Sequence, residues 1–246
     1  MESDAMDSAV ALETRSISKK FGGIVAADNI DFKVYPGELR CLIGPNGAGK
    51  STLFSILCGF QQAESGEILI FGQNVTKKLA FERVRLGVGL TFQTNRAFHD
   101  LSVRENLAIP HFALKKDNIK VENKRLDYAL GAFGLDLNDP TKAGELTHDQ
   151  LQWLEMSMAL SSNPNILLLD EPTAGMAEEE TSKTGKVLKF LNSIGLTIVV
   201  VEHDMDFVRN VAQSVTVLHQ GRIFAEGSVE EITSNEEVKQ IYLGKG

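Results

Sequence analysis

Gly44-Pro45-Asn46-Gly47-Ala48-Gly49-Lys50-Ser51-Thr52 fits the phosphate-binding pattern G-x-x-x-x-G-K-[ST]. An apolar run, Leu39 to Ile43, stands directly before it, and a helical pattern, Leu53 to Leu57, directly after. Strand, glycine turn and helix are the context this pattern needs. Glycines let backbone N–H groups crowd around a polyphosphate, and a helix start adds positive potential. Gly44, Asn46, Gly47, Ala48, Gly49, Lys50, Ser51 and Thr52 are therefore candidate phosphate contacts. Lys50 is placed to reach the outer phosphates, and the Ser51 hydroxyl to hold Mg²⁺.

Working outward, short strand-like runs fill the first seventy or so residues and end with Gly66 to Gly72. A further strand is expected over Gly87 to Phe92, running into Gln93. From Leu101 the pattern becomes helical and more polar, with Val121, Leu126, Leu130 and Phe133 at helical spacing. This predicts a helical sub-domain inserted over about 94–160. Thr147 and Gln150 fit a capping box at the start of a helix carrying Leu151, Leu154 and Met158. Ile166 to Asp170 and Thr197 to Val201 are continuous apolar runs, as expected for strands buried on both faces of a parallel sheet. A helix is expected between them, from about Glu178 to Leu191. Ser214–His219 and Arg222–Glu226 predict a hairpin through Gln220-Gly221. The fold class is α/β: a phosphate-loop core, an N-terminal antiparallel β portion and an inserted helical portion.

Three polar strand ends carry the chemistry. Asp170 and Glu171 follow the aliphatic run, 120 residues after Lys50. Asp170 is the candidate partner of the Mg²⁺ held by Ser51, and Glu171 the candidate general base for an attacking water. His203 closes the next buried strand and is the candidate γ-phosphate contact. Gln93 is the candidate for touching both metal and water. Ligands gather at the carboxyl ends of strands in open α/β sheets, which makes these three ends a set.

Composition fits one globular domain with an added sub-domain, at 246 residues with 43% hydrophobic and 24% charged side chains. The net charge of −8 disfavours a nucleic-acid partner. No apolar run approaches the roughly 20 residues of a bilayer-spanning helix. The acidic segment 1–11 lacks a secretory pattern and is expected to be a flexible tail of a cytoplasmic protein, leaving 12–246 as one domain. Cys41 and Cys58 sit in apolar patterns and are expected to be buried thiols.

The order of these motifs resembles the ATP-binding subunit of ATP-binding cassette (ABC) transporters, over about Leu12 to Gly244. The resemblance implies ATP and Mg²⁺ as cofactors. It implies that Phe21, in Lys20-Phe21-Gly22-Gly23, stacks on adenine. It makes Gln93 the Q-loop residue, Asp170 and Glu171 the Walker B pair, and His203 the switch histidine. Leu101-Ser102-Val103-Arg104-Glu105-Asn106-Leu107, Gln152-Trp153-Leu154-Glu155 and Ala174-Gly175-Met176 are closest to the urea and branched-chain amino acid importer group. The resemblance further implies two such subunits meeting head to tail. Each would place its phosphate loop opposite the other's signature motif. Their closure would drive transmembrane permeases at the cytoplasmic face of the membrane, with a substrate-binding protein engaged indirectly. The implied docking surface lies near Thr94 to Leu101.

One departure stands out. The family signature is Leu-Ser-Gly-Gly-Gln, or Leu-Ser-His-Gly-Gln in the subgroup. Here it is Leu146-Thr147-His148-Asp149-Gln150. Thr147, Asp149 and Gln150 thus occupy positions that would face the partner's nucleotide, with a carboxylate where glycine is expected. Two unit charges about 5 Å apart at an effective dielectric near 20 cost roughly 3 kcal/mol. This favours a heterodimer of unequal sites over a homodimer. Ala177, where many relatives have aspartate, is a milder departure. The alternatives are a non-transport ABC ATPase, which would carry two cassettes or a long coiled-coil insertion, and a regulatory nucleotide-binding subunit with weak turnover.

Overall fold

A computed structural model describes residues 10–91, 96–113 and 123–243. Elements in chain order are β1 (Leu12–Phe21), β2 (Ile24–Val34), β3 (Leu39–Ile43), α1 (Lys50–Cys58), β4 (Ser65–Ile70), β5 (Gln73–Asn74), α2 (Ala80–Arg85) and β6 (Val88–Leu90). Then follow α3 (Val103–Ala113), α4 (Lys124–Phe133), α5 (His148–Ser161), β7 (Ile166–Asp170), α6 (Glu178–Ser193), β8 (Thr197–Val201) and α7 (Met205–Val211). The chain closes with β9 (Ser214–His219), β10 (Arg222–Gly227), α8 (Val229–Ser234) and α9 (Glu236–Leu243).

Two sheets result. One is antiparallel, in the order β2-β1-β4-β5. The other runs β10-β9-β3-β8-β7-β6 and is parallel except for the hairpin strand β10. The continuous apolar runs of β3, β7 and β8 have a direct cause. Leu42, Leu168 and Val199 pack on one face of the sheet, against α1 and the antiparallel sheet. Cys41, Ile43, Leu167, Leu169 and Val200 pack on the other, against α4, α5, α6 and α7. A strand covered on both sides cannot alternate polar and apolar residues. The thiols of Cys41 and Cys58 lie free and buried in these two cores.

The expected helix at Thr147 is α5, with Thr147 as its cap and Gln150 returning its side chain to the Thr147 N–H at 2.9 Å. The strand expected over Gly87 to Phe92 is shorter. Gly87 has φ +91 and turns the chain into β6, which begins at Val88. Thr91 still donates its N–H to the Leu168 carbonyl at 3.0 Å, so the pairing outlasts the strand. Gln93, Thr94 and Val121 lie outside the described residues. Of the helical stretch, α5 packs against α3 and α4 and also against β6 and β7, so it belongs to the central layer as much as to the insertion.

Candidate functional site

The phosphate loop is the crossing from β3 to α1. Gly44, Gly47 and Gly49 have φ of +151, +78 and +104. Two of them are also forced by close backbone approach. A Cβ on Gly44 would stand 2.2 Å from the Leu218 carbonyl oxygen, and one on Gly49 2.3 Å from that of Ala26. Any side chain at either position would displace main chain, which explains the glycines without appeal to flexibility. Gly221 N–H donates to the Ala48 carbonyl at 2.9 Å, so the β9–β10 turn holds the loop from outside. Asn46 and Ser51 are exposed, Thr52 is half-buried, and Ala48 is buried.

Lys50 is 93% buried by its 7% exposure, and its Nζ donates to the carbonyls of Gly44 at 2.6 Å and Pro45 at 3.1 Å. The loop therefore curls around its own ammonium group. Burial pulls the Lys50 pKa below the usual amine range, and the carboxylates of Glu171 and Asp170 act against that.

The acidic pair sits one strand away. In the sheet order β3-β8-β7, Asp170 ends β7 opposite Val201 of β8, and Leu42 of β3 lies opposite the same Val201. Three strand ends thus open on one edge: Gly44 after β3, His203 after β8, and Asp170 with Glu171 after β7. Burial raises the Asp170 carboxyl to about 6, helped by the nearby Glu171 and Glu202 charges and opposed by Lys50. Glu171 holds a left-handed backbone, φ +47, rare for a residue other than glycine. Its N–H donates to the Val201 carbonyl and its carbonyl accepts from Ala174 N–H, which fixes the bend that turns the side chain out of the sheet. His203 Nδ1 lies 3.7 Å from Glu171 Oε1.

Residue reading alone passed over Glu202. It is 1% exposed, accepts from the Thr173 hydroxyl at 2.6 Å, and accepts from the His203 N–H at 3.1 Å. Burial raises its pKa, and these hydrogen bonds oppose the rise. Glu202 ties the turn after Glu171 to the turn carrying His203. The only signal in the sequence was a glutamate at the end of an all-apolar strand.

Phe21 lies at the exposed tip of the β1–β2 hairpin, where Phe21 faces Ile24. The same hairpin supplies the Ala26 carbonyl that abuts Gly49, so it flanks the phosphate loop. Thr147, Asp149 and Gln150 are at the N-terminus of α5, and no hydrogen bond among the described residues joins them to the loop. Thr147 Oγ1 donates to Asp149 Oδ1 at 2.6 Å. His148 Nε2 donates to the Ala174 carbonyl at 3.0 Å.

A glycine loop, a buried ammonium group and a carboxylate two strands along the same sheet edge are the donor set of a phosphate-transfer site. The ABC transporter family model matches residues 27–174. The chain belongs to the ABC transporter ATP-binding family. The cassette is 33% identical to the high-affinity branched-chain amino acid transport ATP-binding protein LivG of Escherichia coli K12, covering 95% of this chain and 98% of that one. It is 32% identical to the ribose import ATP-binding protein RbsA of Caldanaerobacter subterraneus, covering 94% of this chain and 47% of that protein. The ADP conformation of MJ1267, an ATP-binding cassette of an ABC transporter, superposes with a TM-score of 0.83 at 32% identity, over 96% of this chain and 99% of that one. The cassette is accordingly an ATP-binding ATPase of α/β fold.

The donor chemistry also fits a divalent cation. Asp170 is held among the negative charges of Glu171 and Glu202 and is raised to about 6, so a cation beside it would relieve a repulsion already present. Among the described residues no cluster of three or more His, Cys, Asp or Glu forms a metal site of its own. The Ser51 hydroxyl and the Asp170 carboxylate are oxygen donors, as suits magnesium.

Proposed function

We propose that this cassette hydrolyses ATP to power an importer of branched-chain amino acids or small amides such as urea. The observation that carries this is the single edge on which Lys50, Asp170, Glu171 and His203 meet. The likeness to LivG over nearly its whole length supports the cargo class. Residues 12–246 act as one ATP-binding domain with its helical portion inserted.

In this reading the loop amides of residues 44–52 and Lys50 hold the phosphates, and Phe21 stacks on the base. Ser51, Asp170 and Gln93 would hold Mg²⁺, which when bound would neutralise charge at the phosphates. Glu171 orients and deprotonates the attacking water. His203 is held by the Glu202 carboxylate beneath it and contacts the γ-phosphate. Thr147 and Gln150 face the nucleotide of a partner cassette. Asp149 weakens that contact, which favours a heterodimer whose other member carries an intact signature; a homodimer is the alternative. Transmembrane permeases hold the cassette at the cytoplasmic face of the cell membrane, and a substrate-binding protein delivers cargo to them.

The cassette carries a surface suited to docking such a permease. Phe60, Phe81, Val84, Leu90, Pro110 and Met158 line an apolar groove of about 280 Å³. It sits between α2, β6 and the helical portion, beside the segment that precedes Leu101. Phe60 and Phe81 are exposed, as expected of a surface covered by a partner helix.

The decisive experiment is ATP-dependent uptake by the reconstituted transporter, offered leucine, urea and ribose in turn. Lys50→Ala should abolish uptake while assembly persists. Uptake that survives Lys50→Ala removes the coupling, and ribose as the only cargo removes the cargo class.

A second reading, a regulatory subunit with weak turnover, draws on the Thr147–Asp149 hydrogen bond. The hydroxyl that would face a partner's phosphate is already spent on a carboxylate of its own chain. Comparing ATP binding with ATP hydrolysis in the purified assembly separates the two.

A further inference from the structure

Arg83 is fully buried, with 0% exposure, and the chemistry above makes no use of it. Its Nη1 donates to the carbonyls of Ile56 and Leu57, each at 2.7 Å. Its Nη2 donates to the Val75 carbonyl and its Nε to that of Lys78, both at 3.1 Å. Burial pulls its pKa down to about 10.

Ile56 and Leu57 belong to the last turn of α1, whose carbonyls carry its negative end; that of Ile56 also accepts from the Gly59 cap N–H at 3.2 Å. That turn contains no basic residue of its own. The cation comes instead from α2. The fit is close: Gly59, the left-handed cap of α1 at φ +85, would place a Cβ 2.9 Å from Arg83 Nε. A planar fork that bonds several carbonyls fixes both the position and the rotation of the helix it grips, which a point charge does not.

The other side of α2 faces the apolar groove. Ala80, Phe81 and Val84 line it, and so does Phe60, the residue after the α1 cap. One six-residue helix therefore has the groove on one side and the end of α1 on the other. At the far end of α1, about 13 Å away along nine residues, stands Lys50.

We propose that Arg83 is a positioning residue that transmits occupancy of the apolar groove to the phosphate loop. A permease helix seated on Phe81 and Val84 sets the place of α2. The guanidinium then sets the place of α1 and of Lys50 at its start. This rests on the reading of the groove as the permease docking surface. The clamp serves coupling and not the affinity of the isolated cassette for nucleotide.

The test compares Arg83→Lys, which keeps charge and loses the fork, with the parent chain. Calorimetry on the isolated cassette should give ATP dissociation constants that agree within about twofold. In the purified assembled transporter, the stimulation of ATP turnover over the isolated cassette should fall about fivefold, the size expected for a residue on a coupling route. Equal losses in isolated and assembled forms would mark a packing role only and overturn the proposal, as would unchanged stimulation. Hydrogen exchange on the unmodified chain is a measurement that no folding defect can confuse. The amides of Gly59 and Phe60, bonded to Ile56 and Ser55 carbonyls, should exchange more slowly in the assembly than alone. Identical exchange in the two forms overturns the clamp. Phe81→Asp reports on the groove itself: it should prevent assembly. A complex that still forms with Phe81→Asp removes the docking reading, and with it the transmission argued from it, whereas lost assembly with unchanged Arg83→Lys stimulation removes the transmission alone.

Discussion

His203 Nδ1 and Glu171 Oε1 lie 3.7 Å apart, at the ends of the neighbouring strands β8 and β7. The separation is longer than a hydrogen bond. The two groups therefore face a common position without being locked to each other. Glu171 is the less exposed of the two side chains. Its backbone bend at φ +47 aims it there. Glu171→Gln keeps that shape and removes the base. Turnover should fall at least about hundredfold, the usual contribution of a positioned base, with ATP affinity kept. Phosphate release and equilibrium binding, measured on one preparation, check this. A variant that hydrolyses normally would return the base role to another group.

Asp170 makes an opposite demand on stability and on function. Its carboxyl is raised from 3.8 to about 6 by burial and by Glu171 and Glu202. The folded state therefore binds this proton more tightly than the unfolded chain. The nucleotide-free protein bears the cost fully above pH 6, and the cost fades as pH falls from 6 toward 3.8. It is at most about 3 kcal/mol. Asp170→Asn should thus be more stable than the parent at pH 7.5 in urea melts without nucleotide. The advantage should shrink by pH 5, and the variant should not hydrolyse ATP. A variant equally or less stable at pH 7.5 contradicts the assignment of strain to this carboxylate.

Gly49 and Gly47 separate two reasons for a glycine. Both have positive φ. A Cβ on Gly49 meets the Ala26 carbonyl at 2.3 Å, while one on Gly47 meets nothing within 4 Å. Gly47→Ala carries only the left-handed backbone cost, about 1 kcal/mol. Gly49→Ala must also move the β2 backbone and should cost about 2 kcal/mol or more. In thermal melts the second variant should lose several more degrees than the first, about 2–4 °C per kcal/mol at this chain length. Equal losses would mean that the hairpin yields freely.

Much of this was legible in the chain because each signal was local and repeated at several levels. The phosphate loop carried its own strand and helix. β7 and β8 announced burial on both faces through four consecutive apolar residues each, Ile166 to Leu169 and Ile198 to Val201. The Thr147–Gln150 box placed the start of α5. Arg83 and Glu202 were not legible, for a shared reason. Each is a charged residue whose burial is made possible by partners distant in sequence: carbonyls 26 and 27 positions away for Arg83, and Thr173, 29 positions away, for Glu202. The nearer acceptors of Arg83, the carbonyls of Val75 and Lys78, are main-chain groups that any residue carries, so no short window marks it as buried. β6 starts one residue later than the pattern suggests, because Gly87 fits a strand start and a turn equally well, and only its φ of +91 decides.

Asp149 supports the sharpest test of how the cassette is used. Its Oδ1 accepts a hydrogen bond from the Thr147 hydroxyl at 2.6 Å, and the same Thr147 caps α5. A carboxylate at this end favours the helix itself. It opposes any phosphate brought up by a partner, by roughly 3 kcal/mol per unit charge at about 5 Å and an effective dielectric near 20. Asp149→Gly removes the repulsion and frees the hydroxyl. It should therefore raise ATP turnover in the assembled transporter, while melting at a lower temperature for loss of the helix-end charge. In a homodimer both sites gain. In a heterodimer only the site facing this signature gains, so turnover would rise in the fraction of sites that Lys50→Ala in this chain leaves untouched. Measuring Asp149→Gly alone and combined with Lys50→Ala distinguishes the two assemblies. Turnover that stays level or falls on Asp149→Gly would mean that the partner's nucleotide never depends on this helix end.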